Sequence, residues 1–216
     1  MPEILFADEA IAVCLKPSGV LSQGDGEAAL PALLRAQLGG EIYPVHRLDQ
    51  PVGGVMVFAR TREAAAKLSA AMQAEAFSKR YLAVLGSAPE QPEGTLRDLL
   101  FFDRSRNKSF VVRRKRAGVK EALLSYRTLG AVEGLTLVSV RLHTGRTHQI
   151  RVQFASRGMP LLGDGKYGSR DNRSALALWS AELCFPHPVS GEMMRFSACP
   201  PECYPWTLFS SDASGS

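Results

Sequence analysis

An α+β fold is predicted for this chain of 216 residues, and three observations predict it. Several short runs alternate apolar and polar residues with a period of two, only a few segments space their apolar residues as a helix does, and turn residues punctuate both. With 45% hydrophobic and 22% charged residues the chain buries an ordinary core, which excludes collagen-like, low-complexity and wholly disordered classes. One domain is expected at this length: residues 1–209 form its body, and the small, polar run 210–216 is expected to be a disordered tail.

The elements follow in order. Ile11, Val13 and Leu15 alternate with Ala12, Cys14 and Lys16, a half-buried strand that Pro17 and Gly19 stop in a turn. Over residues 29–38, Leu30, Leu33, Leu34 and Leu38 fall at helical spacing; Pro31 fits the first turn and Gly39-Gly40 ends the helix. The apolar run Gly53–Ala59 reads as a strand buried on both faces, and Thr61 caps a helix that buries Ala64, Leu68, Ala71 and Met72. Residues 81–85 and Leu135–Leu142 are further strands. Thr147 begins a helix over 148–157, closed by Gly158 and followed by Pro160. Residues 175–185 and Met193–Ser197 read as two strands about a turn at His187-Pro188 and Ser190-Gly191.

Lys and Arg number 26 against 21 Asp and Glu, a net charge of +5. The excess is concentrated. Arg104, Arg106, Lys108, Arg113, Arg114, Lys115, Arg116 and Lys120 follow one another with no carboxylate among them. Cations so placed repel one another, and a phosphate backbone that releases counterions on binding relieves the repulsion, which points to nucleic acid. Of Cys14, Cys184, Cys199 and Cys203 only the last two stand close together, without the second pair a zinc site needs, so reduced and mostly buried thiols are expected. No apolar stretch approaches the roughly 20 residues of a membrane span. Glu3, Asp8 and Glu9 stand where a signal peptide carries positive charge, so a soluble cytoplasmic protein is expected.

Two polar groups stand out. His46-Arg47-Leu48-Asp49 precedes Gln50-Pro51, and an Asp in that setting, taken alone, is a turn former. In the run from Thr144 to Arg151, Arg151 follows His148 by about one helical turn, and the backbone N–H groups near Thr147 suit an anion; surface charges on a capped helix are the plainer reading. His143 and His148 lack a carboxylate at ligand spacing, so no metal site is expected. Gly163-Asp164-Gly165-Lys166 lacks the spacing of a phosphate-binding loop.

Read together, the segments gain specificity through their order. They are Lys16-Pro17-Ser18-Gly19; HRLD at 46–49 followed by a Gly-Gly strand; Lys79-Arg80-Tyr81-Leu82-Ala83; TGRTHQIRV at 144–152; Gly163-Asp164 with Tyr167-Gly168; and His187-Pro188. In this arrangement the chain resembles the RluA-type pseudouridine synthases from about Ile4 to Pro201. The resemblance implies a mixed, largely antiparallel sheet with flanking helices and a central RNA-binding cleft. It also implies isomerisation of uridine to pseudouridine in ribosomal or transfer RNA, no metal or organic cofactor, and a monomer with no obligate protein partner.

By motif position the resemblance makes Asp49 the catalytic aspartate, Arg151 its partner, and Tyr81 the aromatic that stacks on the target base. Arg47 matches an arginine that enters the RNA where the base has left, and substrate contacts extend to His46, Lys79, Arg146, His148 and Gln149. The assignment suits the chemistry. Uracil must leave ribose carbon 1′, turn, and rejoin through its ring carbon 5, which calls for an ionised carboxylate, a cation that keeps it ionised, and a flat surface for the detached ring. The base must also be flipped from the RNA stack.

Two departures mark a subfamily. Gln50-Pro51-Val52-Gly53-Gly54 replaces the usual x-x-Thr-Ser-Gly, and Leu178-Trp179-Ser180 replaces Leu-His-Ala. A chain that starts at the catalytic domain, without the small N-terminal RNA-binding module of many relatives, is expected from the resemblance, and Arg113, Arg114, Lys115, Arg116 and Lys120 are then expected to grip the RNA backbone. A catalytically silent RNA-binding protein of the same fold would show damage at Asp49, Tyr81 or Arg151, and all three are intact. A hydrolase or nuclease would need a metal-binding carboxylate cluster or a histidine acid–base pair, and neither has supporting spacing.

Overall fold

The computed structural model describes residues 1–24, 26–74 and 76–209, so the tail expected at 210–216 lies outside the described residues. The elements in chain order are β1 (Glu3–Ala7), β2 (Ile11–Lys16), α1 (Leu30–Leu38), β3 (Tyr43–Pro44), β4 (Gly53–Ala59), α2 (Arg62–Gln73) and β5 (Ser78–Leu85). They continue with β6 (Glu93–Asp103), β7 (Lys108–Val112), β8 (Val119–Val132), β9 (Leu135–Leu142), α3 (Gln149–Ala155), β10 (Leu178–Pro186) and β11 (Met193–Ser197). Short 3-10 turns stand at Gly165–Tyr167 and Trp206–Phe209. The result is an α+β fold whose strands pair mostly antiparallel. The chain divides into two compact units, Met1–Arg80 with Trp179–Cys199, and Tyr81–Leu178 with the chain from Pro200 onward.

In the first unit β4 is the centre. Its run GGVMVFA is buried at all seven positions, as a strand covered on both faces must be. β2 lies antiparallel along one edge, from Ile11 opposite Ala59 to Lys16 opposite Gly54. On the other edge β10 runs parallel, with Trp179 opposite Gly53 and Ser180 opposite Gly54, and β11 continues antiparallel from β10. Ile11, Val13, Val55, Val57, Leu183 and Phe185 form a core that Leu68 of α2 completes. Each such fully buried side chain contributes about 1.5–3 kcal/mol. Thr61 caps α2 as its sequence demands: its side chain accepts from the Ala64 N–H at 3.0 Å.

Both departures from the family pattern meet at β4. A Cβ at Gly53 would stand 2.5 Å from the Trp179 ring, and one at Gly54, whose φ is +119°, would overlap the Ser180 backbone. The two glycines therefore admit the tryptophan and the close parallel strand.

In the second unit the strand order is β5, β9, β8, β6, β7. The long strand β8 pairs antiparallel with β9 on one side and β6 on the other, and β6 turns back into β7. Leu100 and Ala122 pack on Val152 of α3, while Tyr126 meets Phe154 edge-on at 5.5 Å. The basic segment 104–120 is thus the edge strand β7 with the turns on either side of it, rather than an isolated charged loop.

Three sequence expectations need correction. The third helix, α3, begins at Gln149, not His148, and Thr147 does not cap it: the N-cap is His148 in the left-handed region, φ +54°, with no side-chain cap bond. It ends at Ala155, before residue 157. The thiols are not mostly buried, because Cys199 and Cys203 are exposed while Cys14 is buried and Cys184 half-buried. No helix among the described residues is long and apolar enough to cross a membrane.

Candidate active site

Asp49 is half-buried on the loop between β3 and β4, and the backbone of that loop is held at every step. The Leu48 carbonyl accepts from the buried Ser22 hydroxyl at 2.8 Å. The Asp49 carbonyl accepts from the Val52 N–H at 2.9 Å. The Gln50 carbonyl accepts from the Gly19 N–H at 2.8 Å and from Lys16 Nζ at 3.0 Å. The Pro51 carbonyl accepts from the Ser18 hydroxyl at 2.7 Å, and Gln50 Nε2 donates to the Gly19 carbonyl at 3.0 Å. Four consecutive carbonyls thus have donors, most of them from the Lys16-Pro17-Ser18-Gly19 turn, which gives that motif a physical task.

Lys16 anchors this arrangement. It is 0% exposed, and its ammonium donates to the carbonyls of Pro17 (2.9 Å), Val20 (2.6 Å) and Gln50. Burial lowers its pKa to about 8, against the pull of the neighbouring Asp49 carboxylate and of Cys14.

His46 turns inward. Its Nε2 accepts from the Val57 N–H at 3.2 Å, its ring meets Phe77 edge-on at 5.7 Å, and its buried Nδ1 has no hydrogen-bond partner among the described residues. Burial first, and then the charge of Lys79, hold its pKa well below the ordinary imidazole value, so the ring stays neutral and serves as an anchor of the loop on β4. Arg47 beside it is exposed. The Lys79 ammonium lies 3.7 Å from Met72 Sδ and 5.2 Å from the Phe77 ring centre, where burial lowers its pKa to about 8. Next to it Arg80 donates to Glu182 at 3.1 Å, and Arg195 shares the same carboxylate at 2.8 Å. Tyr81 follows on β5 and is 5% exposed.

The second unit assembles the other motif. Arg151 presents Nε to Asp164 Oδ2 at 2.7 Å and Nη2 to Oδ1 at 2.8 Å, a bidentate pair buried on α3. Its guanidinium stands 5.1 Å from the centre of the Tyr167 ring. Tyr167 Oη accepts from the Ser109 N–H at 2.8 Å and lies 3.0 Å from His148 Nδ1. Ser109 Oγ donates to the Thr147 carbonyl at 2.6 Å, so β7 is tied to the turn that starts α3. Gln149 is spent on structure: Oε1 accepts from the Thr144 hydroxyl (2.8 Å) and the Arg146 N–H (3.0 Å), and Nε2 donates to the Leu123 carbonyl (3.1 Å). Arg146 Nε donates to the Glu121 carbonyl at 2.8 Å.

The candidate backbone contacts split. Arg113 and Arg114 are exposed on the turn between β7 and β8, and Lys120 is exposed at the start of β8. Lys115 pairs with Glu121 at 2.7 Å, and the Arg116 guanidinium stands 4.8 Å over the Phe101 ring. Sequence reasoning assigns no role to Lys16, Ser22, Asp164, Tyr167 or Glu182. Lys16, Asp164 and Tyr167 lie inside motifs that stand out in the sequence, and only their tertiary partners reveal what they do.

Residues 10–156 match the sequence profile of a family described as RNA pseudouridylate synthase. The chain is 34% identical to ribosomal large subunit pseudouridine synthase D of Zymomonas mobilis, over 93% of this chain and 69% of that protein. It is 35% identical to an uncharacterised RNA pseudouridine synthase of Bacillus subtilis, over 89% of this chain and 66% of that one. The chain therefore spans about two thirds of the length of these relatives. Among solved structures, human RNA pseudouridylate synthase domain containing 4 superimposes with a TM-score of 0.79 at 24% identity, covering 95% of this chain and 91% of that one, a likeness of fold.

Proposed function

Because the chain belongs to the RNA pseudouridylate synthase family, we propose that it isomerises uridine to pseudouridine in ribosomal or transfer RNA, acting in the cytoplasm with residues 1–209 as its catalytic domain. The observation that carries the reading is the Asp49 loop, in which every carbonyl from Leu48 to Pro51 accepts a hydrogen bond and Lys16 lies buried beside the carboxylate. A loop backbone held this way places Asp49 before substrate arrives, so little reorganisation of the loop remains for the reaction.

The reaction breaks the bond between uracil N1 and ribose carbon 1′ and forms one between carbon 1′ and uracil carbon 5. N1 gains a proton and carbon 5 loses one, so atoms balance without an oxidant or water. In this reading Asp49 is the nucleophile or base, Arg151 keeps the carboxylate ionised, and Tyr81 stacks on the extruded ring. Arg47, exposed, fills the gap the flipped base leaves, offsetting part of the lost stacking. His46 and Lys79 in the first unit, and Arg146, His148 and Gln149 in the second, are the further substrate-binding residues of this reading, and Arg113, Arg114, Lys115, Arg116 and Lys120 hold phosphates.

The test is incubation of the protein, and separately of Asp49→Asn, with unmodified bulk ribosomal and transfer RNA, followed by chemical mapping of pseudouridine at nucleotide resolution. New pseudouridine with the wild type alone is expected. Equal modification by both proteins, or by neither, refutes the proposal.

A further inference from the structure

The strands β9, β8, β6 and β7 form a sheet whose two faces differ in kind. Side chains alternate along each strand, and the register decides which face each takes. Leu96 opposite Leu124 and Asp98 opposite Ala122 turn toward α3, where Leu96, Leu100, Ala122 and Leu124 are buried. Arg97 opposite Leu123, Leu99 opposite Glu121, and Phe101 opposite Val119 turn away from it. On that second face no residue of β6, β7 or the paired part of β8 from Val119 to Arg127 is buried; each is exposed or half-buried.

Its middle is aromatic. Phe101 and Phe110 are register partners on neighbouring strands, with Leu99 and Val112 as the next pair. A cation stands over each ring, the Arg116 guanidinium 4.8 Å from the centre of Phe101 and the Lys108 ammonium 5.8 Å from that of Phe110. Its margin is basic. Arg97 and Arg141 are exposed on the same face, and the flanking turns carry Arg104, Arg106, Arg113 and Arg114, all exposed. Two of the face's carboxylates are already engaged, Asp103 with Arg106 at 3.7 Å and Glu121 with Lys115 at 2.7 Å.

Flat rings and guanidinium planes at the centre of an antiparallel sheet, ringed by arginines, match the chemistry of a single RNA strand, whose bases stack while its phosphates seek cations. A protein partner fits worse, because protein interfaces deplete charge at their core. We propose that this face, opposite the one that carries α3 and Arg151, is a second RNA-binding surface that takes a single-stranded segment of the substrate. Bases lie on Phe110 and on the Phe101–Arg116 pair, and phosphates meet Arg97 and Arg141. The proposal rests on the reading that the protein acts on RNA, and it adds a contact outside the reacting nucleotide.

The probe is a fluorescent oligoadenylate of twelve nucleotides, which offers no uridine to react. Its affinity is measured by anisotropy at several salt concentrations for the wild type, for Arg97→Ala with Arg141→Ala, and for Phe110→Leu, which keeps an apolar side chain in the sheet. The double variant is expected to bind about tenfold more weakly, with a salt slope flatter by roughly 0.7 for each phosphate that is no longer neutralised. Phe110→Leu is expected to lose about fivefold or more with the slope unchanged. Thiouridine-labelled RNA is expected to crosslink to peptides holding Phe101 or Phe110, a readout that needs no variant. Wild-type affinity in both variants, or crosslinks only elsewhere, overturns the proposal. So does self-association of the wild type that Phe110→Leu abolishes while oligoadenylate binding persists, since a second copy then covers the face. Pseudouridine mapping on the same proteins separates the two readings: loss of oligoadenylate binding without any wild-type pseudouridine supports the surface and refutes the reaction.

Discussion

Arg151 and Asp164 keep only 6% and 1% of their side-chain surface exposed. Two charges so buried are stable together because each offsets the desolvation of the other, and removing one leaves the other uncompensated. Asp164→Asn is therefore expected to destabilise the protein by about 3–5 kcal/mol, read as a lower urea midpoint. In surviving folded enzyme it lowers kcat more than it raises KM, because the guanidinium loses the carboxylate that orients it. An unchanged midpoint refutes this role for Asp164. Lys16 and Lys79 make a second contrast at this scale. Both are brought to about pH 8 by burial, yet Lys16 donates to three carbonyls whereas the polar atom beside Lys79 is a thioether. Lys16→Met removes the ammonium donor from those three carbonyls, of which that of Gln50 keeps the Gly19 N–H, and is expected to cost about 1–3 kcal/mol and to slow turnover.

Lys79 carries the opposite sign. Its folded pKa lies below the ordinary value of 10.5, so between about pH 8 and 10.5 the unfolded chain binds more protons than the folded one. Stability contributed at this site therefore rises with pH across that window, and the full burial penalty is present below pH 8. Lys79→Met is expected to stabilise the protein by about 1–3 kcal/mol at pH 7 and to flatten the rise between pH 8 and 10.5, measured by urea unfolding at several pH values. A fall in stability at pH 7 contradicts the account.

At the scale of elements, β4 and β10 give the sharpest prediction. Gly53→Ala places a methyl group against the Trp179 ring and is expected to cost about 1–3 kcal/mol, and Trp179→Leu in the same chain restores most of it. Independent, additive losses in thermal unfolding would show that the two residues are not coupled. Strand and helix legibility divides along a physical line. β4 and β9 are readable because a strand covered on one or both faces leaves a clear apolar pattern, and α2 because Thr61 marks its start. β6, β7 and the first half of β8 are not, because their outer face carries arginines and half-buried apolar residues alike, which erases the alternation. The limits of α3 escape a sequence reading for a related reason. Gln149, Arg151 and Gln153 are buried by their hydrogen bonds, so the helix lacks the polar face on which periodicity depends.

The site shows the same division. Asp49, Arg151 and Tyr81 stand out through ordered motifs, whereas their supports act across the chain: Lys16 reaches Gln50, Ser22 reaches Leu48, and Asp164 reaches Arg151. No local pattern announces such pairings, since nothing in a neighbouring residue's chemistry depends on them.

For the molecule as a whole, the family profile, the relatives and the shared fold agree with the ordered motifs. The net charge of +5 is carried mainly by the 104–120 segment, so substrate affinity is expected to depend steeply on salt. Replacing Arg113, Arg114 and Lys115 by Ala flattens the slope of log affinity against log salt by roughly 0.7 for each phosphate that these side chains neutralise. Lys115 contributes least, being paired with Glu121. An unchanged slope removes the β7–β8 turn from the interface.

In the proposed reaction Asp49 drives the exchange of a uracil nitrogen–carbon bond for a carbon–carbon bond, and that exchange expels the hydrogen of uracil carbon 5. Single-turnover release of tritium from RNA labelled at that carbon reads it directly. The wild type is expected to release tritium in step with pseudouridine formed, and Asp49→Asn to bind the RNA and release none above background. Tritium release from Asp49→Asn at the wild-type rate would contradict the account.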